Sequence, residues 1–276
     1  MSLASIYRPF KYAIYALLTA NIYFFFAEEH AAAQHQFVNG VAIGEMIMAY
    51  AASIDTAAWV ILLVMFELET AVLSDEQFTK PVVLSLHALR ILCYSFIVYA
   101  FYGYVVNLDF ALGATALPAL SDLCTLVADQ WSYAVDIDEY EILTAGNCAT
   151  VSVAHSFYQF PGMTAVVDFA GLTEIIRLSW VDVINSGTWL LVVVILEADV
   201  RLQEQNRLEG LVFQLSNAAK FLLYSILLMA AIYWGVKGDF VDFWDAFLWL
   251  VAFVFIELNI FEWRHEEQEA QSSVPT

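Results

Sequence analysis

Long apolar stretches alternate with short charged ones along most of this chain. Tyr12 to Ala27, Ile91 to Leu108 and Phe221 to Val236 carry no charge, and each crosses a hydrocarbon layer of about 30 Å once flanking residues are added. Thr56 to Phe66, Val183 to Leu196 and Ala246 to Ile256 are as apolar but are bounded sooner by acids. Backbone groups in hydrocarbon must be satisfied within the segment, so all six read as α-helices. The pattern predicts an all-α membrane protein with spans one, three and five in the first set and spans two, four and six in the second.

The spans repeat. Lys11 and Tyr15, Arg90 and Tyr94, and Lys220 and Tyr224 place a cation four residues before a tyrosine at the start of each odd span. In the even spans Asp55, Trp59 and Glu67 share their spacing of four and eight with Asn185, Trp189 and Glu197, and with Asp245, Trp249 and Glu257. A further polar residue follows two positions on, as Glu69, Asp199 and Asn259. Such internal periodicity marks repeated supersecondary units. The expected architecture is three pseudo-repeated helical hairpins: spans one to three over residues 1–106, an acidic extracytoplasmic insertion over 107–182, spans four to six over 183–263, and a disordered cytoplasmic tail over 264–276.

Composition agrees, with 61% hydrophobic and only 14% charged residues, far from the balance of soluble domains. Arg8, Lys11, Lys80, Arg90, Arg201, Arg207, Lys220 and Arg264 fall on one side of the spans, and Arg177 and Lys237 on the other. The positive-inside rule then puts both termini in the cytoplasm and the chain in a cytoplasmic (inner) membrane of bacterial type. Arg8 and Lys11, the first apolar run and Ala31 to Ala33 also fit a signal peptide; the place of span one in the repeat argues for a retained helix. A net charge of -20 excludes nucleic acid as a partner, since a phosphate backbone is bound through clustered cations.

Asp55 and Glu67 are 12 residues apart, about 18 Å of helix. The hydrocarbon layer is thicker, so at least one acid per hairpin lies at membrane depth, where ionisable groups are costly and mark ion paths by default. Glu67, Glu197 and Glu257, with Glu69, Asp199, Asp55 and Asp245, are the candidate path. Lys11, Arg90 and Lys220 are the counter-charges, pairing with Glu67, Glu197 and Glu257 in turn, and the Tyr and Trp residues are aromatic partners. Clustered carboxylates raise one another's proton affinity or hold a cation. The opposing reading makes the same charges structural, because buried ion pairs need no activity to explain them.

Beyond the spans, Glu28, Glu29, His30 and His35 offer ligand atoms, but the two histidines do not share a helix face, and no metal or cofactor is expected. The residues from Val38 to Ser53 extend span two or lie in the interface, and those from Ala170 to Ser186 lengthen span four outward. Asp136, Asp138, Glu139 and Glu141 read as a solvated acidic face. Cys124 and Cys148 lie in the insertion, on the side where disulfides persist, and Cys93 reads as a buried thiol. Phosphate-loop, zinc-protease and nucleophile-elbow motifs are missing, so no enzyme is expected. Two functions remain: transport or channelling of protons or small cations through the glutamates, and a non-transporting scaffold or accessory subunit. Either would pair with lipid and suits a homo-oligomer or a partner membrane protein.

Overall fold

The structure is a computed structural model that describes residues 3–37, 40–73, 75–118, 120–154, 156–205, 208 and 210–253. It is mainly helical. The helices are α1 (Leu3–Gln36), α2 (Met46–Ala49), α3 (Ala51–Glu67), α4 (Lys80–Leu112), α5 (Cys148–Val151), α6 (Phe169–Glu204), α7 (Gly210–Lys237) and α8, residues 240–253. Five helices are long and apolar enough to cross a membrane: Pro9–Gln36, Ala51–Thr70, Lys80–Leu112, Phe169–Gln203 and Gly210–Lys237. These carry spans one to five. Of the expected sixth span only α8 is described; its remainder, with Glu257 and Asn259, lies outside the described residues, as does the expected 264–276 tail.

The helices form two compact units, Ile22–Val200 and the pair of segments Met1–Asn21 and Arg201–Thr276. In the larger unit, α3 begins without a side-chain cap of its own. The carboxylate of Glu29 on α1 supplies one, accepting the N–H groups of Ala52 at 2.7 Å and Ser53 at 3.0 Å together with the Ser53 hydroxyl. Those are the amides that a helix start leaves unpaired, and negative charge is favourable there. The segment before α3 does not extend it. Tyr50, at φ -139° and ψ 37°, breaks the helix, and α2 turns aside to pack on α4. The fit leaves no room at Gly103, where a Cβ would sit 2.7 Å from the Ile47 carbonyl oxygen. At its far end α3 widens into a π turn, Leu68–Val72.

Helices α4 and α6 have 33 and 36 residues, about 50 Å each, so both outrun a hydrocarbon layer. Their projecting ends hold the insertion, which adds a five-stranded sheet to an otherwise helical chain. The strands are β1 (Thr115–Ala116), β2 (Ser132–Ala134), β3 (Tyr140–Ile142), β4 (Phe157–Gln159) and β5 (Ala165–Asp168), in the order β1-β4-β5-β2-β3. Only β2 and β5 run parallel. Side chains alternate across β5, as the pleat requires. Ala165 and Val167 join Ala111 of α4 and Leu172 and Ile175 of α6 in one core, while Val166 joins Leu123, Leu143 and Phe157 in a second. A disulfide ties Cys124, in a 3₁₀ turn, to Cys148 at the start of α5. The end of α1 docks on the sheet as well. His35 shares a hydrogen bond of 2.9 Å with the Ser132 hydroxyl and stacks on Tyr140, and the Gln36 amide donates to the Ile137 carbonyl at 2.8 Å. Burial holds the Tyr140 phenol above its usual range, so it stays a donor to Ile137.

One burial pattern recurs in both units. At three, seven and ten residues beyond Lys11, Arg90 and Lys220 lie Ile14, Leu18 and Asn21, then Cys93, Ile97 and Ala100, then Leu223, Leu227 and Ala230, and all nine are buried. That spacing is one face of a helix. In the even spans the buried set is Thr56, Ala58 and Trp59, then Ser186, Thr188 and Trp189, then Ala246, Leu248 and Trp249.

The disulfide closes a loop of 24 residues, worth about 3 kcal/mol by chain entropy. Replacing Cys124 and Cys148 with Ser is expected to speed limited proteolysis within 113–168 in detergent while the helical circular dichroism is kept. Cleavage at the wild-type rate would count against this.

Candidate functional site

Acids of spans two and four, Glu69 and Glu197, both come within electrostatic reach of Tyr94 in the larger unit. Glu67 ends α3 and is buried. Two residues on, Glu69 is the second residue of the π turn, a geometry that favours functional positions. The Arg90 guanidinium of α4 reaches it at 2.6 Å. Tyr94, one turn further along α4, lies within electrostatic reach of Arg90, Glu69 and Glu197 together. The cation of span three thus bonds to the acid of its preceding neighbour rather than pairing with Glu197 alone, because the connection from α3 to α4 is short and delivers Glu69 to its side. In span four the burial falls on Asp199, while Glu197 is exposed. The expected equivalence of Glu67 and Glu197 therefore does not extend to their surroundings.

A second polar layer lies closer to the sheet. Trp59 of α3 and Trp189 of α6 meet with ring centroids 6.0 Å apart. One turn before each stands Asp55 or Asn185, flanked by the buried hydroxyl residues Thr56, Ser186 and Thr188. The Asn185 side-chain oxygen is buried and has no hydrogen-bond partner among the described residues.

In the smaller unit the matching layer is closed. Asp245 of α8 accepts the Asn21 amide at 2.7 Å and a hydrogen bond from Trp249, one turn along its own helix. Trp249 packs on Phe253, which also meets Tyr224. Lys11 is buried, with its ammonium 5.2 Å from the Tyr12 ring centroid, and Tyr15 is buried beside it. Lys220 is half-buried.

Sequence reasoning passed over Asn21 and the capping role of Glu29. Asn21 is the sole carboxamide in the first apolar run, and an amide inside a span signals an interhelical partner. Glu29 carried no such signal, since its partners are backbone amides. His30 bonds to the Tyr50 hydroxyl at 3.1 Å and His35 to Ser132, and no three metal-binding side chains cluster among the described residues. Together, fold and site define a helical protein of the multi-pass membrane class. No family model, curated protein or solved structure matches the chain.

The side chains of Arg90 and Glu69 are 34% and 23% exposed, so their pair sits between the surface and buried limits. Arg90→Met strands the carboxylate and should cost about 1–3 kcal/mol. Arg90→Met with Glu69→Leu should recover most of that in thermal unfolding in detergent, as contacting sites are not additive. Simple additivity of the two changes would show that the pair is not coupled.

Proposed function

We propose that this chain moves protons or small cations across a cytoplasmic membrane through the carboxylates Glu67, Glu69, Glu197 and Asp199, with Arg90 as their counter-charge. The observation that carries the reading is the burial of Glu67 and Asp199 in helices otherwise apolar enough to span a bilayer. Ionisable side chains at membrane depth are costly, and ion or proton handling accounts for their presence. Four acids lie at the ends of α3 and α6, and neighbouring carboxylates favour binding of cations or protons. Within the larger unit Asp55 extends the path toward the sheet, and Asp245 and Glu257 are the matching acids of the third repeat. The shared burial at three, seven and ten residues beyond each cation supports three hairpins of one design, with both termini cytoplasmic by the positive-inside rule.

A scaffold is the second reading, favoured by the Arg90–Glu69 ion pair and by the closed Asn21–Asp245–Trp249 arrangement. In that case the charges lock the bundle, and the insertion receives a partner.

Ion flux into liposomes holding the purified protein separates the two. Wild type is expected to pass protons or Na⁺, and Glu67→Gln and Asp199→Asn to slow the flux by at least about tenfold, the effect of roughly 1.4 kcal/mol. Glu197→Gln and Glu257→Gln test the other two repeats. No flux in wild type, or no change in any variant, leaves the scaffold.

A further inference from the structure

Glu29 lies seven residues before the end of α1, inside the first span, and the proposed path makes no use of it. Its two carboxylate oxygens meet donors. Oε1 accepts the Ala52 N–H at 2.7 Å, and Oε2 accepts the Ser53 N–H at 3.0 Å and the Ser53 hydroxyl. The nearby charges are negative. Asp138, in the turn between β2 and β3, is within electrostatic reach, and Asp55 follows Ser53 by two residues on α3. On α1 itself Glu28 and His30 flank it, with His30 bonded to the Tyr50 hydroxyl. Ser53 also opens a buried face of α3. Ser53, Thr56, Val60, Leu63 and Glu67 follow one another at intervals of three and four and are all buried, the pattern of one side of a helix. Fourteen residues separate Ser53 from Glu67, about 21 Å of helix. Glu29 and Glu67 thus stand at opposite ends of one face.

We propose that Glu29 is a proton-accepting residue at the sheet side of the path, and that the ion carried is the proton. Na⁺ or K⁺ on these oxygens would face the hydrogens of two amides and a hydroxyl, which repel it. A proton is accommodated. One O–H bond forms on Oε2, the carboxylate becomes a neutral acid, and the Ser53 hydroxyl, able to donate or accept, turns from donor to acceptor. No other bond is made or broken, and release reverses the step. A charged acid at membrane depth is costly, and the start of α3 offsets that cost, so neither form excludes the other. The inference rests on the transport reading and names the ion of that path.

Infrared spectra of the full chain in detergent are recorded as the pH is lowered. Wild type should gain the C=O stretch of a carboxylic acid shielded from water, and Glu29→Gln should lack it. Glu45→Gln, the same change at an exposed acid bonded only to the Ala42 amide, should keep it. Ser53→Ala leaves both amide bonds in place and serves where Glu29→Gln does not fold: its band should move in frequency, since the acid has lost its hydroxyl partner. In liposomes under a pH gradient, proton flux should fall at least about tenfold in Glu29→Gln and hold in Glu45→Gln. A wild-type spectrum that matches Glu29→Gln, or a band unmoved in Ser53→Ala, overturns the proposal. Na⁺ flux without proton flux, or full proton flux in Glu29→Gln, overturns it too and leaves the transport reading standing. Liposomes silent in wild type end the transport reading and the relay with it, while the band still reports whether Glu29 takes a proton.

Discussion

Hydrocarbon cannot hydrogen-bond, and that limitation governs where each polar group of this protein goes. Backbone groups are satisfied inside the helices, but helix starts and polar side chains need partners from elsewhere. The partners come from other helices. Glu29 of α1 closes the start of α3, Arg90 of α4 meets Glu69 beyond the end of α3, and Asn21 of α1 meets Asp245 of α8. Each bond fixes the register of one helix against another, which uniform apolar packing would leave free to slide. Polar groups in the spans therefore specify the packing as well as furnishing the candidate path.

Helix length governs the rest. Because α4 and α6 continue about 20 Å past a hydrocarbon layer, their ends become walls of a small water-exposed domain. The sheet closes against them through Ala111, Leu172 and Ile175. The domain's second core has a disulfide at its edge, in keeping with strands only two to four residues long. Glu141, exposed on the edge strand β3, gives the sheet edge a charge that discourages pairing with other strands.

Positions matched in the proposed repeat differ in environment. Asp245 accepts hydrogen bonds from Asn21 and Trp249, while the corresponding Asn185 side-chain oxygen has no hydrogen-bond partner among the described residues. Glu67 is buried where Glu197 is exposed, and Asp199 takes the buried place. A helix turns about 100° per residue, so two positions carry a side chain about 200° around, from one face to the other. Residues of matching type and spacing can therefore meet different surroundings.

The sequence by itself determined which segments are apolar enough to span, that an acidic insertion separates spans three and four, and which residues are costly to bury. These are local properties, readable because transfer into hydrocarbon depends on each run's own length and composition. Tertiary structure alone decided which acid Arg90 meets, that Glu29 caps another helix, that Tyr50 stops α3 from extending outward, and that the insertion contains a sheet. Those outcomes depend on the rotation and depth of one helix against another. The repeat spacing constrains neither, since a change of one residue in register presents a different face.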